Sequence, residues 1–155
     1  MADLVQRLDR HTVIGLDTSV FIYHVESHAC YLPLAGQLLA GVQAGRWTAI
    51  TSTITLMELP VRPWQLGQLA VAREYETLLT HFPHLVVADM TRHVARRAAR
   101  LRADHRLRPA DAIQAATIQV HGATALVTND RALTRLSVDM DVIMLDDFIT
   151  PEPEG

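Results

Sequence analysis

The chain has 155 residues, 49% of them hydrophobic and 20% charged, with a formal net charge of −3 at pH 7. That is the size of one domain, too apolar for a disordered chain and too acidic for a protein that is basic overall to hold nucleic acid. All 14 basic residues are Arg, which excludes a P-loop, a Schiff-base site and a kinase-like site, because each needs a Lys ammonium.

Met1 to His11 is polar and lacks the apolar stretch of a secretory signal. Thr12 to Leu16 is a β-branched, apolar run that predicts a buried strand ending at Asp17. Thr18 and Ser19 supply helix-start hydroxyls for Val20 to Tyr23. Pro33 opens a second helix that runs to about Ala44 and stops at Gly45. Trp47 to Thr51 is a second strand, and Ser52 caps a short helix holding Thr55 to Leu59. Pro60 and Pro63 break that helix, and Trp64 to His81 forms the next, with Leu66, Leu69, Tyr75, Leu78 and Leu79 near one face.

Leu85 to Ala88 is a third strand, ending at Asp89, for which capping of the following helix is favoured over ligation. Thr91 starts that helix, with Val94, Ala98 and Leu101 inward. Pro109 starts a helix that ends at His121 and Gly122. Ala123 to Thr128 and Val142 to Leu145 are the fourth and fifth strands. Strands alternate with helices, so the expected fold is a three-layer α/β/α sandwich around a mainly parallel five-stranded sheet. One domain spans 1–149, and 150–155 is a frayed acidic tail. No apolar run is long enough to span a membrane. The lone Cys30 reads as a small buried hydrophobe, and the compartment as the cytoplasm.

In parallel sheets ligands bind beyond the carboxyl ends of the strands. Four acids fall there: Asp17 after the first strand, Glu58 in the helix after the second, Asp111 in the turn behind Pro109, and Asp130 after the fourth. Each has a plainer reading. Asp17 and Asp130 suit helix caps, Glu58 a solvated helix residue, and Asp111 the positive end of a helix dipole. Gathered together, four carboxylates raise one another's pKa and need a counter-charge. With no Lys in the chain, a divalent ion is the economical choice, and oxygen-only donors favour Mg²⁺ or Mn²⁺. Such ions suit phosphodiester hydrolysis.

Four blocks carry a resemblance: Gly15 to Tyr23, Thr53 to Leu59, Leu107 to Thr117, and Leu126 to Asp130. In this order and spacing the chain resembles the PIN-domain ribonucleases, most of all the VapC-type toxins of toxin–antitoxin pairs. The resemblance implies a Mg²⁺- or Mn²⁺-dependent endoribonuclease in which Asp17, Glu58, Asp111 and Asp130 are the acidic quartet. It implies supporting hydroxyls at Thr18 or Ser19 and at Thr128, an RNA substrate, a VapB-like antitoxin and a homodimer.

Seven of the Arg lie between Arg92 and Arg108, and Arg92, Arg96 and Arg100 share a helix stripe. A solvated face is the plain reading; phosphate or antitoxin contact is the functional one. His24, His28 and Cys30 are too few for a zinc site. Trp47 and Trp64 suit core or dimer contacts. A dehalogenase-like phosphatase needs Asp where Ser19 stands, and a receiver domain needs a Lys. The rival of a different class is a non-catalytic RNA- or protein-binding module on the same fold.

Overall fold

The short apolar runs form the middle layer of the molecule. In the computed structural model, which describes residues 3–149, they are β1 (Val13–Leu16), β2 (Thr48–Ser52), β3 (Leu85–Ala88), β4 (Ala125–Thr128) and β5 (Asp141–Met144). Their order is β3-β2-β1-β4-β5, and every pairing is parallel. The helices are α1 (Leu4–Leu8), α2 (Thr18–Val25), α3 (Leu32–Gln43), α4 (Thr53–Glu58), α5 (Val61–Gln65), α6 (Leu69–His81), α7 (Arg92–His105) and α8 (Pro109–Val120). Two 3₁₀ segments, Arg131–Val138 and Leu145–Phe148, flank β5. The tail 150–155 lies outside the described residues.

Successive strand residues point to opposite faces, and the two cores follow that alternation. Ile14, Leu16, Ala125 and Val127 join Leu4, Leu8, Phe21, Leu38, Trp47 and Leu79. Leu126 joins Val94, Leu101, Ala115, Ile118, Leu133 and Leu136. Helices therefore cover both faces, as the expected three-layer sandwich requires. At Gly15 a Cβ would lie 2.3 Å from Ile118 Cδ1 and 3.1 Å from the Ala125 carbonyl oxygen. The missing side chain lets α8 settle directly on β1.

Several local expectations are corrected. The helix expected from Trp64 begins only at Leu69, because the chain turns at Gly67 with φ +69°. Pro60 ends α4 as expected, but Pro63 lies in the first turn of α5, where a missing N–H costs nothing. The inward face of α6 is Ala72 and Leu79, while Leu66 and Leu69 are exposed. Asp89 is not a cap; Thr91 takes that role and accepts the Val94 N–H at 3.2 Å. Trp47 is core and Trp64 is surface. Cys30 is an exposed free thiol, not a buried hydrophobe. Helix α1 stands in a stretch for which no element is expected, although Asp3 and Gln6 form a capping box that is visible in the sequence.

A polar clamp ties α1 to the edge strand. Arg7 grips Asp141 through two guanidinium bonds, one of them 3.0 Å, and His11 Nε2 lies 2.8 Å from the same carboxylate. The Arg7 bond, reinforced by His11, holds the Asp141 pKa below its ordinary value of 3.8. The depressed value means the clamp stabilises the fold above about pH 4, and loses that contribution as pH falls through the folded pKa. Asp141→Asn is expected to lower the melting temperature at neutral pH and to flatten the acid limb of stability. Melts from pH 7 to pH 2 check this; superimposable curves for parent and variant would assign the clamp no contribution.

Candidate active site

The strand order reverses at β1, which has β2 on one side and β4 on the other. The crevice of a parallel sheet opens at such a switch point. Asp17 leaves the end of β1 there and Asp130 follows the end of β4. Asp17 is also the N-cap of α2, so the capping and functional readings share one residue. Its Oδ1 accepts the Thr18 N–H at 2.8 Å, and its Oδ2 accepts the Thr128 hydroxyl at 2.7 Å. Thr128 Oγ1 in turn accepts the Asp130 N–H at 3.0 Å. Asp130 Oδ1 accepts the Ala132 N–H at 2.9 Å and caps the following 3₁₀ segment.

Glu58 is the last residue of α4 and is exposed, yet its Oε1 accepts the Thr18 hydroxyl at 2.9 Å. Asp111 lies in the first turn of α8, where the helix N-terminus favours a carboxylate. Thr18 and Thr128 thus contact the acids directly. The Ser19 hydroxyl, also a candidate, is buried with no hydrogen-bond partner among the described residues.

Two of the four acids feel the charges of others in the set. Burial first, and then the Asp130 charge, push the Asp17 carboxyl above its ordinary pKa, against the hydrogen bonds from Thr128 and Thr18. Burial also raises Asp111, together with the charges of Asp130, Asp17 and Glu58. The charge of Arg108 works the other way and lowers Asp111. No salt bridge engages any of the four acids among the described residues. Arg62, close in sequence to Glu58, faces Glu26 instead at 4.0 Å.

The donor set is all oxygen, partly desolvated and short of positive charge, which fits Mg²⁺ or Mn²⁺ better than a softer ion. Among the described residues no three Asp, Glu, His or Cys side chains are grouped closely enough to hold a metal ion together. An ion that keeps several of its waters needs only one or two direct carboxylates, so an open site is compatible with such an ion.

Sequence reasoning misses most of the floor of this site. Beside the expected Thr18, the residues Thr51, Ser52, Thr55 and Gln114 are all buried and polar. Gln114 accepts the Ser52 hydroxyl and donates from Nε2 to Thr55 Oγ1 at 2.9 Å. The available signal is a lone Gln in the apolar run Ala112 to Ala116, one turn after Asp111.

The arginine stripe is placed as expected. Arg92, Arg96 and Arg100 are exposed, opposite the buried Val94, Ala98 and Leu101. Arg100 pairs with Asp104 at 3.1 Å. His24 and His28 do not build a metal site; His28 accepts the Cys30 N–H and packs against Tyr23 and Tyr31. Among the described residues no helix is long and apolar enough to cross a membrane.

Comparison with known proteins gives three results. The family model described as PIN domain matches residues 14–138. No curated protein sequence matches. Solved structures align over most of both chains. A toxin–antitoxin complex from Klebsiella pneumoniae matches at TM-score 0.64 and 22% identity, covering 85% of this chain and 97% of that one. VapBC2 from Rickettsia felis, bound to a promoter DNA fragment, matches at 0.63 and 18%, covering 84% and 96%. FitAB bound to the IR36 DNA fragment matches at 0.68 and 18%, covering 92% and 99%. At such identities the likeness is one of fold.

Proposed function

The chain belongs to the PIN domain family, and from that premise we propose that it is a Mg²⁺- or Mn²⁺-dependent endoribonuclease, the toxin of a toxin–antitoxin pair. The observation that carries this reading is the state of Asp17. Its carboxylate sits at the switch point, desolvated, held by two donors of the chain, and raised further by the charge of Asp130. A helix cap alone does not need a second carboxylate charge, that of Asp130, close enough to raise it.

Asp17, Glu58, Asp111 and Asp130 would hold the ion. When bound, it supplies charge for a phosphoryl oxygen and a water of lowered pKa. Thr128 fixes the Asp17 carboxylate from the β4 side, and Thr18 fixes Glu58 from the α2 side. The backbone N–H of Thr18 keeps the Asp17 Oδ1 oriented toward the start of α2. Asp111 and Asp130 complete a face whose negative charge repels an RNA phosphate until it is neutralised.

Partner binding is part of the proposal. Met57, Val61, Trp64 and Leu66 are exposed on and after α4, next to Glu58. Apolar exposure of this kind marks a protein-contact surface. It suits a VapB-like antitoxin, as in the complexes that share the fold, or a second copy in a homodimer. The cytoplasm is the setting such a pair requires.

The test is cleavage of RNA with Mg²⁺ or Mn²⁺, with and without a chelator. Cleavage that needs the ion and stops with the chelator is expected. Ion binding with no cleavage of any RNA would favour the non-catalytic binding module. The arginine stripe makes a separate prediction. Replacing Arg92, Arg96 and Arg100 together by Gln is expected to weaken RNA binding and to reduce the salt slope by up to about 3, nearly one for each phosphate that an Arg neutralises. Arg100, already paired with Asp104, should contribute least. A salt titration with an unchanged slope would make the stripe ordinary surface.

A further inference from the structure

Arg62 shares a groove with one acid of the site. A hollow of about 420 Å³ opens beside Glu58, with Ile22, Leu59 and Leu66 on its walls and Arg62 and Glu26 on its lining. A second hollow, of about 310 Å³, shares Arg62, Glu26 and Leu66 and reaches Tyr75. Arg62 and Glu26 therefore stand where the two meet. The hollow beside Glu58 falls in the range of about 300–1,000 Å³ that holds small ligands. Arg62 is four residues beyond Glu58, yet it faces Glu26, at 4.0 Å. That is beyond hydrogen-bond reach. The two side chains are 72% and 41% exposed, and so open a pair holds weakly. The guanidinium fork is thus left free for an anion that can meet it with two oxygens, as a phosphate does.

We propose that Arg62 binds an RNA phosphate next to the one cut at the acids, and that Glu26 is the acid it gives up for that phosphate. The inference deepens the ribonuclease reading and rests on it for the substrate. Four carboxylates repel a polyanion, and a chain of net charge −3 has no general attraction for one. The hold on the strand has to come from single cations placed beside the crevice. Arg62 has that place, on α5, directly after the helix that ends at Glu58. A strand cut at these acids leaves the crevice along its walls, and this groove begins at one of the acids. A phosphate contact positions the strand without reading a base, so it acts alike on RNAs of different sequence.

The test measures binding of a short single-stranded RNA in chelator, where no ion-dependent cleavage intervenes, over a range of salt. Arg62→Gln is expected to lower affinity about 10-fold, the low end for a hydrogen bond to a charged group. The salt slope should fall by about 0.7 to 1, the share of one phosphate. Glu26→Gln is expected to raise affinity about 3-fold, the scale of an exposed ion pair, and to raise it less in the Arg62→Gln background, where no pair is left to break. Arg10→Gln is the control: it removes the same charge from an exposed residue before β1, at the end of the sheet away from Asp17. All are surface substitutions, which move stability little. Unchanged affinity and slope in Arg62→Gln would overturn the proposal and leave the groove to a protein partner. An equal loss in Arg10→Gln, or an equal gain from Glu26→Gln in both backgrounds, would reduce the effect to net charge and overturn it too. RNA held through Arg62 by a chain that cleaves none with Mn²⁺ would keep the contact and sink the nuclease reading alone. A parent that binds no RNA, with Mn²⁺ or without, would sink both.

Discussion

Asp17→Asn is expected to remove at least about 1,000-fold of the RNA-cleaving activity, equivalent to about 4 kcal/mol of transition-state stabilisation, while leaving the metal-free fold as stable as the parent or more so. The two halves have one cause. Asn caps a helix as well as Asp does, so the bond to the Thr18 N–H survives. The Thr128 hydroxyl loses its carboxylate acceptor and must turn. What disappears is the charge, and in the folded chain that charge is held at a cost. Burial and Asp130 raise the Asp17 pKa. For a raised carboxyl, the contribution to stability is fully present below the unfolded value, near pH 4, and is lost as pH rises through the folded value. The variant has no such loss.

Melts in chelator, from pH 4 to pH 8, should therefore show the parent falling relative to Asp17→Asn. Adding Mn²⁺ should reverse the order, since an ion at 100 times its dissociation constant stabilises the chain that binds it by about 2.7 kcal/mol. Parental cleavage by the variant would exclude the mechanism. Equal stabilisation of both chains by Mn²⁺ would remove Asp17 from the ion's ligands.

The parts of this design that are legible in the sequence are those written in local chemistry. An apolar β-branched run that stops at Asp17 announces a strand and the acid at its end. Pro109 followed by Asp111, and Thr128 followed by Asp130, do the same for the other side of the crevice. The parts that are not legible depend on residues distant in sequence. Gln114 looks like one polar residue in an alanine-rich helix until β2 brings Thr51 and Ser52 against it. Glu58 reads as solvated, and it is exposed; the Thr18 hydroxyl, forty residues earlier in the chain, ties it to the site. The turn at Gly67 is hidden for a different reason. Leu66, Leu69 and Leu79 mimic a helical stripe, although the first two lie on a surface rather than in the core. Hydrophobic spacing cannot distinguish an apolar face that packs inward from one that waits for a partner.

Gly15→Ala is expected to damage fold and activity together. Overpacking a filled core costs about 1–3 kcal/mol, and here the new carbon would lie 2.3 Å from Ile118 Cδ1, 3.0 Å from Ile118 Cβ and 3.1 Å from the Ala125 carbonyl oxygen. The Ile118 tip can rotate away; the Ala125 carbonyl is part of the ladder joining β1 to β4 and cannot. Relief must come from lifting α8 away from β1, and α8 carries both Asp111 and Gln114. Asp17 is two residues along the chain from the clash. The substitution therefore separates the acids that the fold brings together, at a place no substrate touches. Ile118→Val removes the offending methyl at a usual cost of about 0.5–1.5 kcal/mol. Combined with Gly15→Ala, it should cost less than the sum of the two, because neighbours in contact couple. The rescue should be partial, since the contact with the carbonyl remains. Denaturant titration of the four chains measures this, with RNA cleavage as the second readout. Strict additivity would place the strain elsewhere, and full activity in Gly15→Ala would show that the spacing of α8 from β1 does not govern the site.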